Sequence, residues 1–132
     1  MSHAAEVFLG VLPLAQDLSM QFEAEDDVGV HIRLPFSERL LEAPEGSIHS
    51  AMISTLLDTA SGAAVIAHPE LSSMTATLNL RIDYLRAAAH RVDLIAVARV
   101  EFMSERVVHV RAQCYEDGHV TPIAMAQGAF TR

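Results

Sequence analysis

A single long helical segment stands among short strand-like segments, and this order limits the folds that are open to the chain. Residues 48–67 form an apolar, alanine-rich run without strand-like alternation. Ser47 is a suitable N-cap, and His68 followed by Pro69 predicts the end, because a residue that precedes proline disfavours helical geometry. The chain must therefore accommodate one central helix among extended segments.

The segments on either side of this helix follow other patterns, mostly the period of two that is typical of strands. Before it, residues 4–12 predict a short helix, and residues 19–24 and 29–34 predict a β-hairpin. After it, residues 76–84 alternate apolar and polar side chains, which predicts a half-buried strand. Residues 92–102, 107–115 and 121–131 repeat this behaviour. The order predicts an α+β hotdog fold, in which an antiparallel β-sheet wraps around one long central helix.

Composition restricts the classes of function. The chain has 132 residues, which predicts a single domain over residues 1–132, and 51% of them are hydrophobic against 20% charged. Its net charge is −8, with nine arginines and no lysine, so nucleic acid is not an expected partner. Charges interrupt the apolar sequence too evenly for a membrane span, so no membrane partner is expected either. The apolar excess comes from aliphatic rather than aromatic residues, and it indicates that a second subunit covers part of the surface.

Cysteine usage and the N-terminal pattern point to the cytosol. Cys114 is the only cysteine, so no internal disulfide can form. It alternates with Val108, Val110 and Ala112, which predicts a buried small side chain rather than a nucleophile. The apolar stretch from residue 7 to residue 15 lacks a basic flank and contains Pro13, which argues against a secretory signal. The predicted localisation is cytoplasmic.

Asp58 is the only acidic residue of the helical segment, and it requires an explanation because aspartate is a poor helix former. No lysine or arginine lies three or four residues away to pair with it. Helical spacing places it on one stripe with small and hydroxyl side chains, namely Ala51, Ser54, Thr55, Ser61 and Gly62. A solvent-exposed position would explain an unpaired aspartate in the helix, and so would a position that faces a cleft or an interface between subunits.

Two motifs resemble those of the acyl-coenzyme A thioesterases of the phenylacetate-degradation type, a hotdog family. Residues 46–51 read Gly-Ser-Ile-His-Ser-Ala and resemble the family's helix-opening motif Gly-x-x-His-Gly-Gly. In that motif an acid follows the histidine by nine residues, as Asp58 follows His49. Residues 77–86 resemble the strand after the helix, where the family has serine or threonine at the position of Thr77. The likeness in layout extends over residues 12–131.

The resemblance implies hydrolysis of an acyl-CoA thioester to the free acid and coenzyme A. No cofactor is implied beyond coenzyme A as part of the substrate. Asp58 would act as base or nucleophile, and Thr77 would hold the water or the carboxylate. Backbone N–H groups near Ser50 and Ala51, free at the helix start, would polarise the carbonyl. His49 is expected to be a motif residue with a structural role.

Helix geometry predicts where such a site must lie. Nine residues of helix span about 13 Å and about two and a half turns, so the helix start and Asp58 face opposite ways in one chain. They cannot reach the same thioester in a monomer. The sequence therefore predicts a homodimer, or a homotetramer built as a dimer of dimers, with each site shared between two subunits.

Two departures from the family pattern leave a second function open. Ser50 and Ala51 replace the glycine pair, and their Cβ atoms narrow the approach to the backbone donors. Ala43 stands near the position where related enzymes commonly have asparagine. The alternative is a hotdog protein that binds an acyl-CoA-like ligand without turnover. A hotdog hydratase or dehydratase ranks last, since the sequence lacks the motifs of that chemistry.

Arginines in predicted turns are the candidates for contacts with the coenzyme A phosphates, because a guanidinium makes forked contacts to phosphate. They are Arg86, Arg91 and Arg106. The resemblance favours Arg86, which follows the strand end that the family places near the ligand. Ordinary surface charge is the alternative for each of the three. The seven histidines show no metal-binding spacing, so no metal site is predicted.

Overall fold

The fold is described from a computed structural model of the chain, for residues 3–71 and 74–132. Two short helices, α1 (His3–Val11) and α2 (Pro13–Asp17), precede a hairpin of β1 (Gln21–Asp26) and β2 (Gly29–Leu34). A 3-10 turn (Glu38–Leu40) leads to the long helix α3 (Ser50–Ala67). The remaining strands are β3 (Thr77–Tyr84), β4 (Leu94–Met103), β5 (Val107–Glu116) and β6 (Ala124–Thr131).

The six strands form one antiparallel sheet in the order β1-β2-β4-β5-β6-β3. β2 lies next to one edge of the sheet, and β3, which follows it in the chain, forms the opposite edge. The helix that connects them, α3, must therefore cross the face of the sheet. This crossing makes α3 the central helix, and the α+β hotdog fold predicted from the sequence is confirmed.

The sheet buries one face of α3. Leu56, Leu57 and Ala60 are fully buried on the helix, and small strand residues such as Ala96 and Ala98 let the helix approach the sheet closely. By length and composition α3 could also cross a membrane, but half of its apolar window is buried within the fold, as is usual for a core helix. Cys114 lies in the same core, as predicted, and burial raises the pKa of its thiol to about 12.

The helix starts differ from the predictions. The helix predicted over residues 4–12 is present as α1, and a second short helix that was not predicted follows it, because Pro13 cannot continue the hydrogen bonding of α1 and instead opens α2. The long helix begins at Ser50 rather than Ile48, and its N-cap is His49 rather than Ser47. The α1 helix packs across α3 at Gly62, where an added Cβ would lie 3.2 Å from the Phe8 ring.

The edge strand β3 is more exposed than the predicted half-buried strand. Leu78 and Tyr84 are 55% and 50% exposed, while Leu80 and Ile82 are partly covered. β3 pairs with β6 on one side, and no strand of the described residues pairs with its other side. The alternation of apolar and polar side chains is present, but in a single chain β3 is less buried than predicted. An exposed apolar edge of this kind is a surface that proteins usually cover.

Candidate active site

Asp58 and Thr77 meet between the long helix and the edge strand. The Thr77 hydroxyl donates a hydrogen bond of 2.7 Å to Asp58 Oδ1. Asp58 lies in the middle of α3 and Thr77 is the first residue of β3, so only the path of the helix across the sheet brings them together. No second donor to the Asp58 carboxylate is found within residues 3–71 and 74–132. Its other oxygen, Oδ2, is therefore open to water or a substrate.

This pair lies in the wall of an open cavity of about 590 Å³. Hydroxyl side chains contribute to its lining, from Ser54, Thr55, Thr59, Thr75 and Thr77. Apolar side chains contribute as well, from Phe8, Leu12, Leu14, Leu80, Ile82 and Phe130. A carboxylate in a cavity lined by both polar and apolar side chains can hold water while an apolar group occupies the rest of the cavity.

The predicted stripe around Asp58 is correct at Ser54 and Thr55, which border the cavity. Their hydroxyls donate to the Ala51 carbonyl at 3.0 and 2.7 Å, so both side chains are held along the helix. The prediction is wrong for Ser61, which is only 1% exposed. Side chains of the sheet and of α1 cover this end of the helix, and the pattern of α3 alone does not contain that information.

The start of α3 carries one capped and one uncapped N–H group. The Ala51 N–H donates to Nδ1 of His49 at 3.0 Å, so His49 caps the helix. The expectation that the Ala51 N–H is free is therefore wrong for the single chain. No acceptor for the Ser50 N–H is found in the part of the chain that the structure describes. Ser50 thus presents a free donor at the positive end of the helix dipole.

Ser50 borders a second, smaller cavity of about 190 Å³, which Tyr84 and Arg86 also line. Thr77, the first residue of β3, lines the Asp58 cavity, and Tyr84, the last, lines the Ser50 cavity, so the two cavities follow one another along the strand. Asp58 does not line the Ser50 cavity, and Ser50 does not line the Asp58 cavity. In one chain, donor and carboxylate face different cavities, in agreement with the prediction from helix geometry.

Arg86 is held by a structural ion pair that the sequence did not indicate. Its Nη1 lies 2.6 Å from Oε1 of Glu116, whose side chain is 1% exposed. Its Nη2 donates to the carbonyl of Thr121 at 3.2 Å. The guanidinium that the resemblance favoured for phosphate binding is therefore engaged within the chain, although part of it borders the Ser50 cavity.

The other two candidate arginines lie at opposite ends of β3. Arg91 donates from Nη2 to the Pro44 carbonyl at 2.7 Å, beside the segment that leads into α3. Arg106 is exposed in the β4–β5 turn, and its carbonyl accepts the Arg132 N–H at 3.0 Å. The neighbouring Thr131 N–H donates to the Ala76 carbonyl, which places this turn near the Thr77 end of β3.

The N-terminal helices contribute to the Asp58 cavity, which was not predicted from the sequence. Phe8 and Leu12 are four residues apart, a spacing that places them on one face of a helix and so gives a signal of shared packing. What that face covers depends on the docking of α1 and α2 over α3, which no local pattern specifies.

Comparison with known proteins identifies the family to which the chain belongs. The profile of the Thioesterase superfamily matches residues 45–123. A Halobacterium salinarum protein named as a candidate esterase is 33% identical over 122 residues, which covers 86% of this chain and 80% of that protein.

Two solved structures share the fold along nearly the whole chain. A Pseudomonas aeruginosa protein aligns with a TM-score of 0.88 at 33% identity, covering 99% of this chain and 98% of that one. The Escherichia coli PaaI protein of the phenylacetic acid degradation operon aligns with a TM-score of 0.85 at 18% identity, covering 99% of this chain and 94% of that one. The profile match includes α3 with Asp58 and the whole of β3, β4 and β5. The chain therefore belongs to the thioesterase superfamily.

Proposed function

We propose that the protein hydrolyses acyl-CoA thioesters and that Asp58 is the carboxylate that acts on the water or on the thioester. Membership of the thioesterase superfamily supports thioester hydrolysis in general. The observation that carries the finer proposal is the 2.7 Å hydrogen bond from Thr77 to Asp58 in the wall of a half-apolar cavity. A carboxylate with one oxygen held and the other open is well arranged to position water or to attack a carbonyl carbon.

Two routes are compatible with this arrangement. With Asp58 as base, the carboxylate takes a proton from water, and the water oxygen bonds to the carbonyl carbon. The tetrahedral intermediate then breaks its C–S bond, and the acid and the coenzyme A thiolate leave, the thiolate taking up the proton that Asp58 gained, which returns Asp58 to its ionised form. With Asp58 as nucleophile, its oxygen displaces the thiolate to form an anhydride, which water hydrolyses. In both routes the Ser50 N–H would stabilise the oxyanion.

The proposed site requires two subunits, because the donor and the carboxylate lie in separate cavities of one chain. β3 offers an unpaired apolar edge in the described residues. Antiparallel pairing of two such edges about a two-fold axis would place the Tyr84 end of one strand beside the Thr77 end of the other. The Ser50 cavity of one subunit would then adjoin the Asp58 cavity of the partner subunit. We expect a homodimer, or a homotetramer if a second surface also pairs.

The walls of the two cavities suggest how the substrate lies. The apolar side of the Asp58 cavity, with Phe8 and Ile82, suits an aryl or aliphatic acyl group. Arg91 and Arg106 are the better candidates for the coenzyme A phosphates, since Arg86 is paired with Glu116. The proposal includes no cofactor beyond coenzyme A as part of the substrate, and we expect the enzyme to act in the cytoplasm.

One observation favours a second function, the binding of an acyl-CoA-like ligand without turnover. Ser50 and Ala51 stand where the related motif has two glycines, and the Ala51 N–H is already bound by His49. Fewer backbone donors therefore remain for an oxyanion than at an uncapped helix start. The Ser50 N–H is the donor on which hydrolysis then depends.

The test is the release of free thiol from a panel of phenylacetyl-, benzoyl- and straight-chain acyl-CoA thioesters. Asp58→Asn keeps the shape of the side chain and removes its basicity, so we expect kcat to fall by about 10²–10⁴-fold. Oligomeric state, measured by light scattering, should not change. Asp27→Asn is the matched control, because Asp27 is an exposed acid in the β1–β2 turn, outside both cavities.

The outcomes separate the two functions. Full turnover by Asp58→Asn would reject the proposed role of the carboxylate. No turnover by the wild type on any thioester, together with saturable binding of a non-hydrolysable acyl-CoA analogue, would establish the binding function instead. Loss of activity in Asp27→Asn as well would show that the assay reports general damage rather than chemistry.

A further inference from the structure

Three side chains that could bind a metal ion lie together outside both cavities of the proposed active site. His90 belongs to the connection between β3 and β4, Glu116 is the last residue of β5, and His119 lies in the β5–β6 turn. One potential ligand atom from each lies within 4.8 Å of the other two. No motif spacing connects them in the sequence, because the pairing of β4 with β5 brings the two connections together.

The Glu116 carboxylate is an anchored anion. It accepts hydrogen bonds from Arg86 Nη1 at 2.6 Å and from the His90 backbone N–H at 2.9 Å, and the His90 ring nitrogen Nδ1 lies 2.9 Å from it. Burial opposes ionisation of this group, but these hydrogen bonds outweigh it and lower the pKa of Glu116. A carboxylate has about four lone-pair positions, so three donors leave room for one more contact.

The two imidazoles face solvent and touch each other. Their ring centroids are 4.2 Å apart and the planes are inclined by 28°. The His90 side chain is 51% exposed, so an ion can reach the pair from solvent without opening the core. The rings are stacked, so a shared ion requires one ring to turn about χ2, a torsion with broad and shallow minima.

The surroundings of His119 are those of a metal-binding histidine. Its backbone N–H donates to the Glu116 carbonyl at 3.0 Å, and its Nδ1 lies 3.2 Å from the Asp117 carbonyl. A histidine that donates one ring N–H to a carbonyl presents the lone pair of the other nitrogen, which is the usual arrangement around metal-bound imidazole. On the same pattern, the Glu116 carboxylate can orient the His90 ring.

The charge of the cluster selects the class of ion. Arg86 balances the single negative charge of Glu116, so the cluster offers little net attraction to a hard cation such as Mg²⁺ or Ca²⁺, which prefers oxygen ligands. Imidazole nitrogen prefers Zn²⁺, Ni²⁺ and Cu²⁺. From these contacts we infer that His90, His119 and Glu116 bind one divalent transition-metal ion per chain, with a nitrogen ligand from each imidazole.

Binding would join the β3–β4 connection to the β5–β6 turn. None of the three side chains lines either cavity, although Arg86, which holds Glu116, borders the Ser50 cavity, and binding of the ion is measured without substrate. A bound ion is expected to raise the thermal unfolding temperature of the chain, because an ion that binds only the folded state stabilises it by mass action. The inference therefore stands or falls independently of the proposed function.

The test is titration of the chelator-treated, full-length protein with ZnCl₂ by calorimetry, with Co²⁺ as a spectroscopic probe of nitrogen ligation. We expect about one equivalent of Zn²⁺ per chain, and His119→Ala and His90→Ala should each weaken binding by about tenfold or more. Both rings are on the surface, so both variants should fold, which circular dichroism checks. His109→Ala is the matched control, since this exposed histidine lies on β5 beside Phe102 and outside the cluster.

Three outcomes would overturn the inference. They are the absence of saturable Zn²⁺ binding, equal affinity in the double variant His90→Ala/His119→Ala, and loss of binding only in His109→Ala. A rise in unfolding temperature with Zn²⁺ that disappears in the double variant and persists in His109→Ala would support it.

Discussion

The Asp58 cavity and the Ser50 cavity follow one another along the same edge strand and differ in chemical character. The first holds a carboxylate fixed by one hydroxyl, with an apolar wall on its other side. The second holds a backbone donor at a helix start, beside cationic and aromatic side chains. Acyl transfer requires both a nucleophile or base and an oxyanion donor, and neither cavity alone contains both groups. If the proposed mechanism holds, the difference means that each chain carries two complementary halves of a site.

After Asp58→Asn, the largest expected effect comes from deleting the donor of the Ser50 cavity. Ser50→Pro removes the Ser50 N–H at the first helical position, where proline is tolerated. The preceding His49 already has φ −60° and ψ 135°, the conformation that a residue before proline prefers. We expect kcat to fall by about 10²–10³-fold with helix content unchanged, as for loss of an oxyanion donor. Ser50→Ala, which removes the hydroxyl and keeps the N–H, is the control, and unchanged turnover in Ser50→Pro would remove the donor from the mechanism.

Mixing two inactive variants tests whether the donor and the carboxylate of one site belong to different subunits. Asp58→Asn and Ser50→Pro, unfolded together and refolded as one mixture, should form heterodimers in which one of the two shared sites has both native groups. Random pairing then restores about a quarter of wild-type activity, since half of the dimers are mixed. If each site instead belonged to one chain, the mixture would stay as inactive as its components.

The Ser50 cavity should also be the more rigidly built of the two, because Arg86 connects its wall to the buried Glu116. Arg86→Met removes a 2.6 Å ion pair and leaves the carboxylate with only its contacts to His90. Because Arg86 is itself partly exposed, we expect a loss of about 2 kcal/mol in the free energy of unfolding, less than for a fully buried pair. Urea unfolding at neutral pH measures it, with Arg81→Met on the exposed face of β3 as control.

The same ion pair predicts a dependence on pH. The folded-state pKa of Glu116 lies below its ordinary value of 4.5, so its contribution to stability is present above pH 4.5 and is lost as pH falls through the folded pKa. The stability difference between wild type and Arg86→Met should therefore be largest at neutral pH and shrink in acid. A difference that stayed constant down to the acid transition would show that the ion pair is not its source.

The smallest expected effect concerns the hydroxyl that holds Asp58. Thr77→Val keeps the volume of the side chain and removes one hydrogen bond, worth about 1 kcal/mol, so kcat should fall by about five- to tenfold. Thr77→Ser, which retains the hydroxyl, should restore most of the rate. A loss of the same size in both variants would mean that the methyl group, rather than the hydrogen bond, matters at this position.

The sequence permitted most of the fold to be predicted, because alternation and helical period are local properties. The central helix, the strand order along the chain and the buried Cys114 all followed from such patterns. The errors lie where distant elements decide the outcome. Ser61 is buried although it shares a stripe with Asp58, and β3 is exposed although it alternates like a half-buried strand.

For the candidate site, helical spacing singled out Asp58, the resemblance to a thioesterase family pointed to Thr77 and the helix start, and helix geometry predicted that the donor and the acid face different ways. Local sequence patterns could not show that His49 accepts a hydrogen bond from the Ala51 N–H, that Arg86 is paired with Glu116, or that α1 and α2 form an apolar wall. Those facts depend on contacts between residues far apart in the chain. Periodicity and motif spacing carry information over a few turns or one strand, so the sequence by itself determined the elements and their chemical content, whereas only the tertiary structure decided which of those groups meet.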